Sequence, residues 1–241
     1  MAAILIAVII CLGAGALYWL FMSPWSQIFG RYPWQVRTDK KVVALTFDDG
    51  PNEPYTSQIA DFLADKQVKA TFFQVGTCIE RYPDTTKRLY ADGHDIGNHS
   101  VHHRFSDYLK HPVYMQEIME NQEIIFRHIG KRPALFRSPW LWRQPWMLRS
   151  LRAQSLQPVS GRFCHSLEVF QPSGERIAKA ALKKVRPGSI IIFHDGFDSK
   201  TGDRSQTVKA VKITVNSLLQ QGYECVPISE LLGVPAYQNG Q

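Results

Sequence analysis

Short stretches in which almost every residue is apolar or β-favouring recur along this chain, each followed by a stretch of helical character. The first reads Val-Val-Ala-Leu-Thr-Phe at 42–47, and the plainest of the others reads Ser-Ile-Ile-Ile-Phe at 189–193. Further strands are expected at 70–75, 94–98, 133–137, 156–160 and 223–227. Amphipathic helices are expected at 55–66, 83–92, 112–129, 145–154, 174–185 and 205–221. Strands without polar alternation have no face to give to water, so they belong to a parallel sheet covered on both sides. Seven such units in one domain of roughly 200 residues predict an incomplete (β/α) barrel, since eight is the regular number. An open doubly wound sheet is the alternative.

Composition narrows the class without naming a chemistry. The 241 residues are 44% hydrophobic and 20% charged, as in a folded domain rather than a disordered chain. A net charge of +7 permits an anionic partner. The basic residues are scattered and no recognition motif accompanies them, so nucleic acid is not expected as a partner. The four cysteines, at 11, 78, 164 and 225, form no C-x-x-C pair and are expected as free thiols, buried within the folded part.

The first 22 residues stand apart. No charge occurs from Ala2 to Met22, and about 20 apolar residues suffice to span a bilayer as a helix. Small residues at 13–16 offer a signal-peptidase site, but no basic segment comes before them and the apolar run continues past them. An uncleaved anchor is therefore expected, with Trp19 and Trp25 near the interface. Residues 23–37 read as a linker, 38–235 as the folded domain and 236–241 as a frayed tail. Arg31, Arg37, Lys40 and Lys41 follow the anchor and would favour a cytoplasmic domain, although large domains translocate regardless of such charges.

In (β/α) folds chemistry gathers at the carboxyl ends of the strands. Those ends here carry Asp48-Asp49, His99-Ser100-Val101-His102-His103, Arg137-Ser138-Pro139-Trp140 and His194-Asp195-Gly196. An Asp-Asp-Gly-Pro sequence can simply be a turn. Four strands delivering ionisable groups to one rim argue for more. His99 and His103 can face one way within a single turn, and one carboxylate would complete a His₂-Asp metal set with open positions, as catalysis requires. His102 competes with His103, and spacing alone does not choose between them. The adjacent aspartates then divide the labour, one ligating the cation and the other taking a proton from the water it activates. His194 suits a general acid serving the leaving group. The ligand set suits zinc, and cobalt or nickel also fit.

Taken together, T-F-D-D-G-P followed by H-S-x-x-H resembles the polysaccharide deacetylase family, also called carbohydrate esterase family 4 or the NodB homology domain. The resemblance spans about residues 38–232. It implies a distorted (β/α) barrel and metal-dependent removal of N-acetyl groups from N-acetylhexosamine polymers. By position, it implies Asp48 as the base and Asp49, His99 and His103 as metal ligands. Arg137-Ser138-Pro139-Trp140 matches the family's R-x-P-[YW] motif. Arg137 would pair with Asp48, and the Trp140 backbone N–H would help hold the oxyanion. Ile-Ile-Phe-His-Asp-Gly matches the last motif, with His194 as acid and Ile192 lining the acetyl pocket.

Two departures accompany the match. Leu141 stands where the family commonly has Gly, and Glu168-Val169 stands where it has Asp-Trp, keeping a carboxylate but losing an aromatic wall. Trp140, Trp142 and Trp146 could present a stacking face for sugars, with Trp146 the one best explained by packing. The expected activity is N-deacetylation of an N-acetylglucosamine-containing glycan, peptidoglycan foremost. A single-pass anchor would hold the catalytic domain to the membrane on its extracytoplasmic side. The alternatives are hydrolysis of another small amide or ester on the same metal site, or glycan binding without turnover. No protein partner is inferable.

Overall fold

The computed structural model describes residues 1–238. An apolar helix, α1 (Ala2–Phe21), leads into a domain whose strands and helices alternate as expected. In order these are β1 (Val42–Asp48), α2 (Tyr55–Asp65), β2 (Thr71–Gln74), α3 (Gly76–Arg81), α4 (Pro83–Ala91), β3 (Asp95–Asn98), α5 (His111–Ile129), β4 (Leu135–Phe136), α6 (Met147–Ala153), β5 (Gln157–Pro158), β6 (Arg162–Phe163), α7 (Gly174–Lys184), β7 (Ile190–His194), α8 (Ser205–Gln220), β8 (Glu224–Val226) and α9 (Ile228–Leu232). Every pairing between these strands is parallel. All seven expected strands are present. The addition is β6, two residues long and too short to leave a periodic signal.

Seven strands run β5-β4-β3-β2-β1-β7-β6. The eighth, β8, shares an edge of β1 with β2: it pairs with Val42–Ala44, while β2 pairs with Thr46–Asp48. β1 is the centre of the sheet and is buried from Val43 onward, as its uninterrupted apolar sequence requires. Phe47 stacks between Phe72 and Phe193 at centroid distances of 4.8 and 6.0 Å, joining the three middle strands into one apolar layer. Cys78, Cys164 and Cys225 are buried free thiols.

The sheet curls without closing. Its two ends, β5 and β6, are neighbours in sequence but not in hydrogen bonding, and Ser160 lies between them. The segment read as a linker sits against this gap. Ser160 N donates to Pro33 O at 2.8 Å, and Gln35 forms a bridge with Ser189 at the start of β7. Ser23, Ser26 and Tyr32 are buried. Residues 23–35 are thus a packed strap across the open seam, because the unclosed strands leave polar backbone groups that need partners.

The expected tail also packs in part. Ala236 O accepts from Ala134 N, and the Tyr237 hydroxyl accepts from Ile96 N at 3.1 Å. Residues 239–241 lie outside the described residues.

Candidate active site

Strand alternation would send Asp48 and Asp49 to opposite faces. The chain avoids this by ending β1 at Asp48 and placing Asp49 in the left-handed region at φ +75°. Both carboxylates then line one cleft of about 350 Å³, together with His99, His103, Trp140, Leu141, Glu168, Val169 and His194. Glycine follows each acidic step for a steric reason. A Cβ on Gly50 would meet Asp195 Oδ2 at 2.0 Å, and one on Gly196 would meet Asp49 O at 2.1 Å. The D-D-G and H-D-G turns pack face to face, and no side chain fits between them.

On one side of the cleft three acceptor atoms converge. Asp49 Oδ1 lies 3.3 Å from His99 Nε2 and 3.2 Å from His103 Nε2, and all three side chains are buried. The far nitrogens determine the tautomers. His99 Nδ1 lies 2.7 Å from Arg137 O, and a carbonyl can only accept, so this nitrogen carries the proton. His103 Nδ1 lies 3.0 Å from Asp198 Oδ1 without hydrogen-bond geometry, and the carboxylate's charge still favours the proton on that nitrogen. The two Nε2 lone pairs therefore point at a carboxylate oxygen that has no hydrogen-bond donor. This arrangement fits a divalent cation with His₂-carboxylate ligation and an outer layer that orients the ligands.

Burial opposes ionisation of Asp49, but the imidazoles of His103, His99 and His194 hold its carboxyl well below the usual range. Burial likewise opposes charge on His103, yet Asp49 and Asp198 raise its pKa above the ordinary value, so a proton competes with a cation there. His102 is turned away: its Nδ1 and backbone N pair with the Glu117 carboxylate at 2.8 and 2.9 Å. Of the two histidines that spacing left open, His103 is the one brought beside Asp49 and His99.

Asp48 sits beside this cluster on a different support. The fully buried Arg137 guanidinium donates to Asp48 Oδ1 and Thr46 Oγ1, each at 2.7 Å, and to Ser160 O at 3.0 Å. Its face lies over Phe73, 4.2 Å from the ring centroid. Burial lowers the arginine pKa and the ion pair with Asp48 opposes that fall. One residue thus serves both halves of the site, since the Arg137 carbonyl orients His99.

The opposite wall carries His194 and Glu168. Asp48 and His194 are register partners across β1 and β7. Glu168 is buried in a short 3₁₀ turn, Glu168–Phe170. Its Oε2 lies 2.6 Å from His194 Nδ1, and its Oε1 accepts from His194 N and from the Thr207 hydroxyl. Burial alone would lower the His194 pKa, but the Glu168 carboxylate overrides it and raises it to about 9.

Trp140 also lines the cleft, its ring centroid 4.3 Å from that of His103. Pro139 is buried beneath it and starts the 3₁₀ turn Pro139–Leu141. Trp140 and Leu141 both have positive φ, at +51° and +56°. Glycine would take that conformation without strain, and Leu141 holds it with its side chain buried. Val169 lines the cleft where the resemblance led us to look for tryptophan. Trp142 and Trp146 pack against an apolar cluster that includes Tyr114, Ile118 and Met147.

Ile192 shares a strand face with His194, but it is wholly buried against Gly161 and is not among the residues that line the cleft. Sequence reasoning gave Asp195 no role of its own and passed over Asp198 and Tyr18. Asp195 is buried, accepts from Thr56 at 2.6 Å, and is pushed up by that burial to about 7. Asp198 lies two residues past the H-D-G turn, a spacing that could have flagged it. Tyr18 belongs to α1, and nothing local in the sequence links it to the cleft.

The sequence profile described as Polysaccharide deacetylase matches residues 35–157. A peptidoglycan-N-acetylglucosamine deacetylase of Bacillus cereus is 32% identical over 204 residues, which cover 84% of this chain and 93% of that protein. The peptidoglycan-N-acetylmuramic acid deacetylase PdaC of Bacillus subtilis is 31% identical over 81% of this chain, though over only 40% of its own length. Among solved structures, the Bc1960 peptidoglycan N-acetylglucosamine deacetylase superposes with a TM-score of 0.80 at 29% identity. That match covers 86% of this chain and 95% of the other.

Proposed function

The chain belongs to the polysaccharide deacetylase family, and we propose that it removes the acetyl group from N-acetylglucosamine units of cell-wall glycan, with peptidoglycan as the polymer. One observation carries the reading. Two imidazole nitrogens each lie within 3.3 Å of one undonated carboxylate oxygen, between an arginine-paired aspartate and a glutamate-paired histidine.

Asp49, His99 and His103 would hold a divalent cation, with zinc the best match to the donor set. When bound, such an ion polarises a water molecule and the acetyl carbonyl. Asp48, kept in place by Arg137, is positioned to take the proton of the attacking water. The Trp140 backbone N–H would add a donor for the negative charge that develops on the acetyl oxygen. His194, kept protonated by Glu168, delivers a proton to the departing nitrogen, giving a free amine and acetate. The uncharged α1 acts as an uncleaved anchor that holds the domain at the outer face of the membrane. The stretch Ile4–Phe21 is long and apolar enough to cross one.

The test is released acetate. Full-length protein loaded with zinc is incubated with N-acetylglucosamine oligomers and with purified peptidoglycan, with and without a chelator. Acetate that appears only in the loaded enzyme supports the reading. Stoichiometric zinc with no acetate from any acetylated glycan would overturn it.

A further inference from the structure

The last turn of α1 is built into the wall of the cleft. Tyr18 lines the same cavity as Asp48, Asp49 and His194. Phe21 stacks on Trp142, with centroids 5.2 Å apart and 18° between the planes, and its carbonyl accepts from Arg143 N at 2.8 Å. The residues that follow are held as firmly. The buried Arg143 guanidinium donates to the carbonyls of Ser23 and Pro24 and, at 2.9 Å, to Ser160 Oγ. Ser160 Oγ donates in turn to Pro24 O at 3.0 Å. The Ser160 carbonyl receives Arg137, which holds Asp48. Buried hydrogen bonds therefore run from the helix end to the Asp48 carboxylate, and no free spacer separates the two.

Among the described residues, nothing of this chain surrounds the rest of α1. None of the window Ile4–Phe21 is buried, and Ile4, Ile9, Leu12 and Leu17 face outward. At about 1.5 Å per residue, its 20 residues match the thickness of a bilayer's hydrocarbon layer. Trp19 and Trp25 stand exposed beside the helix end, where indole rings favour the headgroup level. With α1 in a bilayer, Tyr18 lies within one turn of that level and the cleft opens at the membrane surface. A wall strand far from the membrane would need a flexible spacer to be reached, and the packed strap at 23–35 removes it.

We propose that the substrate is an N-acetylhexosamine still attached to a membrane lipid, deacetylated before it joins a mature wall strand. This rests on the deacetylase reading above and replaces the finished polymer named there with its lipid-linked precursor unit. Water adds to the acetyl carbon, the carbon–nitrogen bond breaks, and His194 protonates the nitrogen. Glucosamine stays on the lipid and acetate leaves into water.

The experiment uses full-length zinc enzyme in phosphatidylethanolamine–phosphatidylglycerol vesicles. Three substrates are compared by acetate release: polyprenyl-diphosphate-linked N-acetylglucosamine in the same vesicles, the free water-soluble oligosaccharide, and insoluble peptidoglycan. Confinement to one surface should raise turnover of the lipid-linked sugar at least ~10-fold over the soluble one at equal bulk concentration. Equal turnover of soluble and lipid-linked sugars, or preference for insoluble peptidoglycan, would overturn this inference and leave the deacetylase reading standing. Acetate from none of the three would overturn both. Phe21→Ala, which frees the helix end from Trp142, should lower the lipid-to-soluble ratio at least ~3-fold, and the ratio cancels any change that the variant makes in the soluble rate. An unchanged ratio would refute the coupling of helix and cleft.

Discussion

The two walls of the cleft solve the same electrostatic problem in different ways. On the wall of Asp49, His99 and His103, three acceptor atoms face one another with no donor between them, and a cation from outside must supply the compensation. On the wall of His194, the compensating charge is built into the chain as buried Glu168. Asp48 belongs to the second kind, since Arg137 neutralises it permanently. One wall would therefore take its compensating charge from the solution, and the other carries its own.

Stripping the cation is the largest way to break the comparison. A chelator should bring acetate release to background, and zinc should restore it. His103→Ala should lose stoichiometric metal, whereas His102→Ala should keep it, because His102 serves only Glu117. Metal analysis of the two purified variants checks this. The reverse pattern would show that the wall has been assigned to the wrong histidine. Loaded enzyme should also release its metal as pH falls, because the proton favoured on His103 competes for the same nitrogen.

Next in size is Asp48→Asn. A lost general base costs about 10²–10⁴ in rate, and metal content should stay at wild type. The variant should also unfold more easily. Both side chains of the pair are buried, and removing one partner of such a pair costs about 3–5 kcal/mol. Asp49→Asn should show the opposite profile, with metal lost and the Arg137 pair intact. Urea unfolding alongside metal analysis separates the two. Equal metal loss in both variants would abolish the contrast between an imported and a built-in charge.

The two walls also differ in how much of them could be read beforehand. The metal wall comes from the ends of β1 and β3, where apolar runs fix the strand and the polar residues stand out against it. Even there, the turn of Asp49 into the left-handed region was not legible, because it follows from the close packing of Gly50 and Gly196 across two strands. Glu168 was placed only by position in a motif whose second residue differs. Its turn is flanked by exposed Leu167 and Phe170 and has no periodicity to read. Strand alternation gives Ile192 the same face as His194 without saying how deep beneath the cleft it lies. The strap at 23–35 was illegible because its contacts to the domain lie more than a hundred residues away, as with Ser23 and Arg143, and Tyr18 because it sits in an apolar helix with no polar pattern to link it to the cleft.

The smallest expected effect is the most discriminating for the second wall. Glu168→Gln removes a charge beside His194 with little change of shape. In the wild type Glu168 raises the histidine pKa to about 9 against burial, so the imidazolium persists through neutral pH. The acid is the protonated form, so activity is present below that pKa and is lost as pH rises through it. Folding stability from the pair has the same sign: it is full below the unfolded value near ~6.5 and fades as pH climbs toward the folded one. Without the carboxylate, burial dominates and the pKa should fall to ~6.5 or below. The alkaline limb of the rate profile should move down with it, lowering the rate about tenfold near pH 7.5 and little below pH 6. Metal content should not change, because Glu168 touches none of the three ligands. A limb that stays near pH 9 in the variant would mean that His194 is tuned from elsewhere, and that the second wall has no built-in charge of its own.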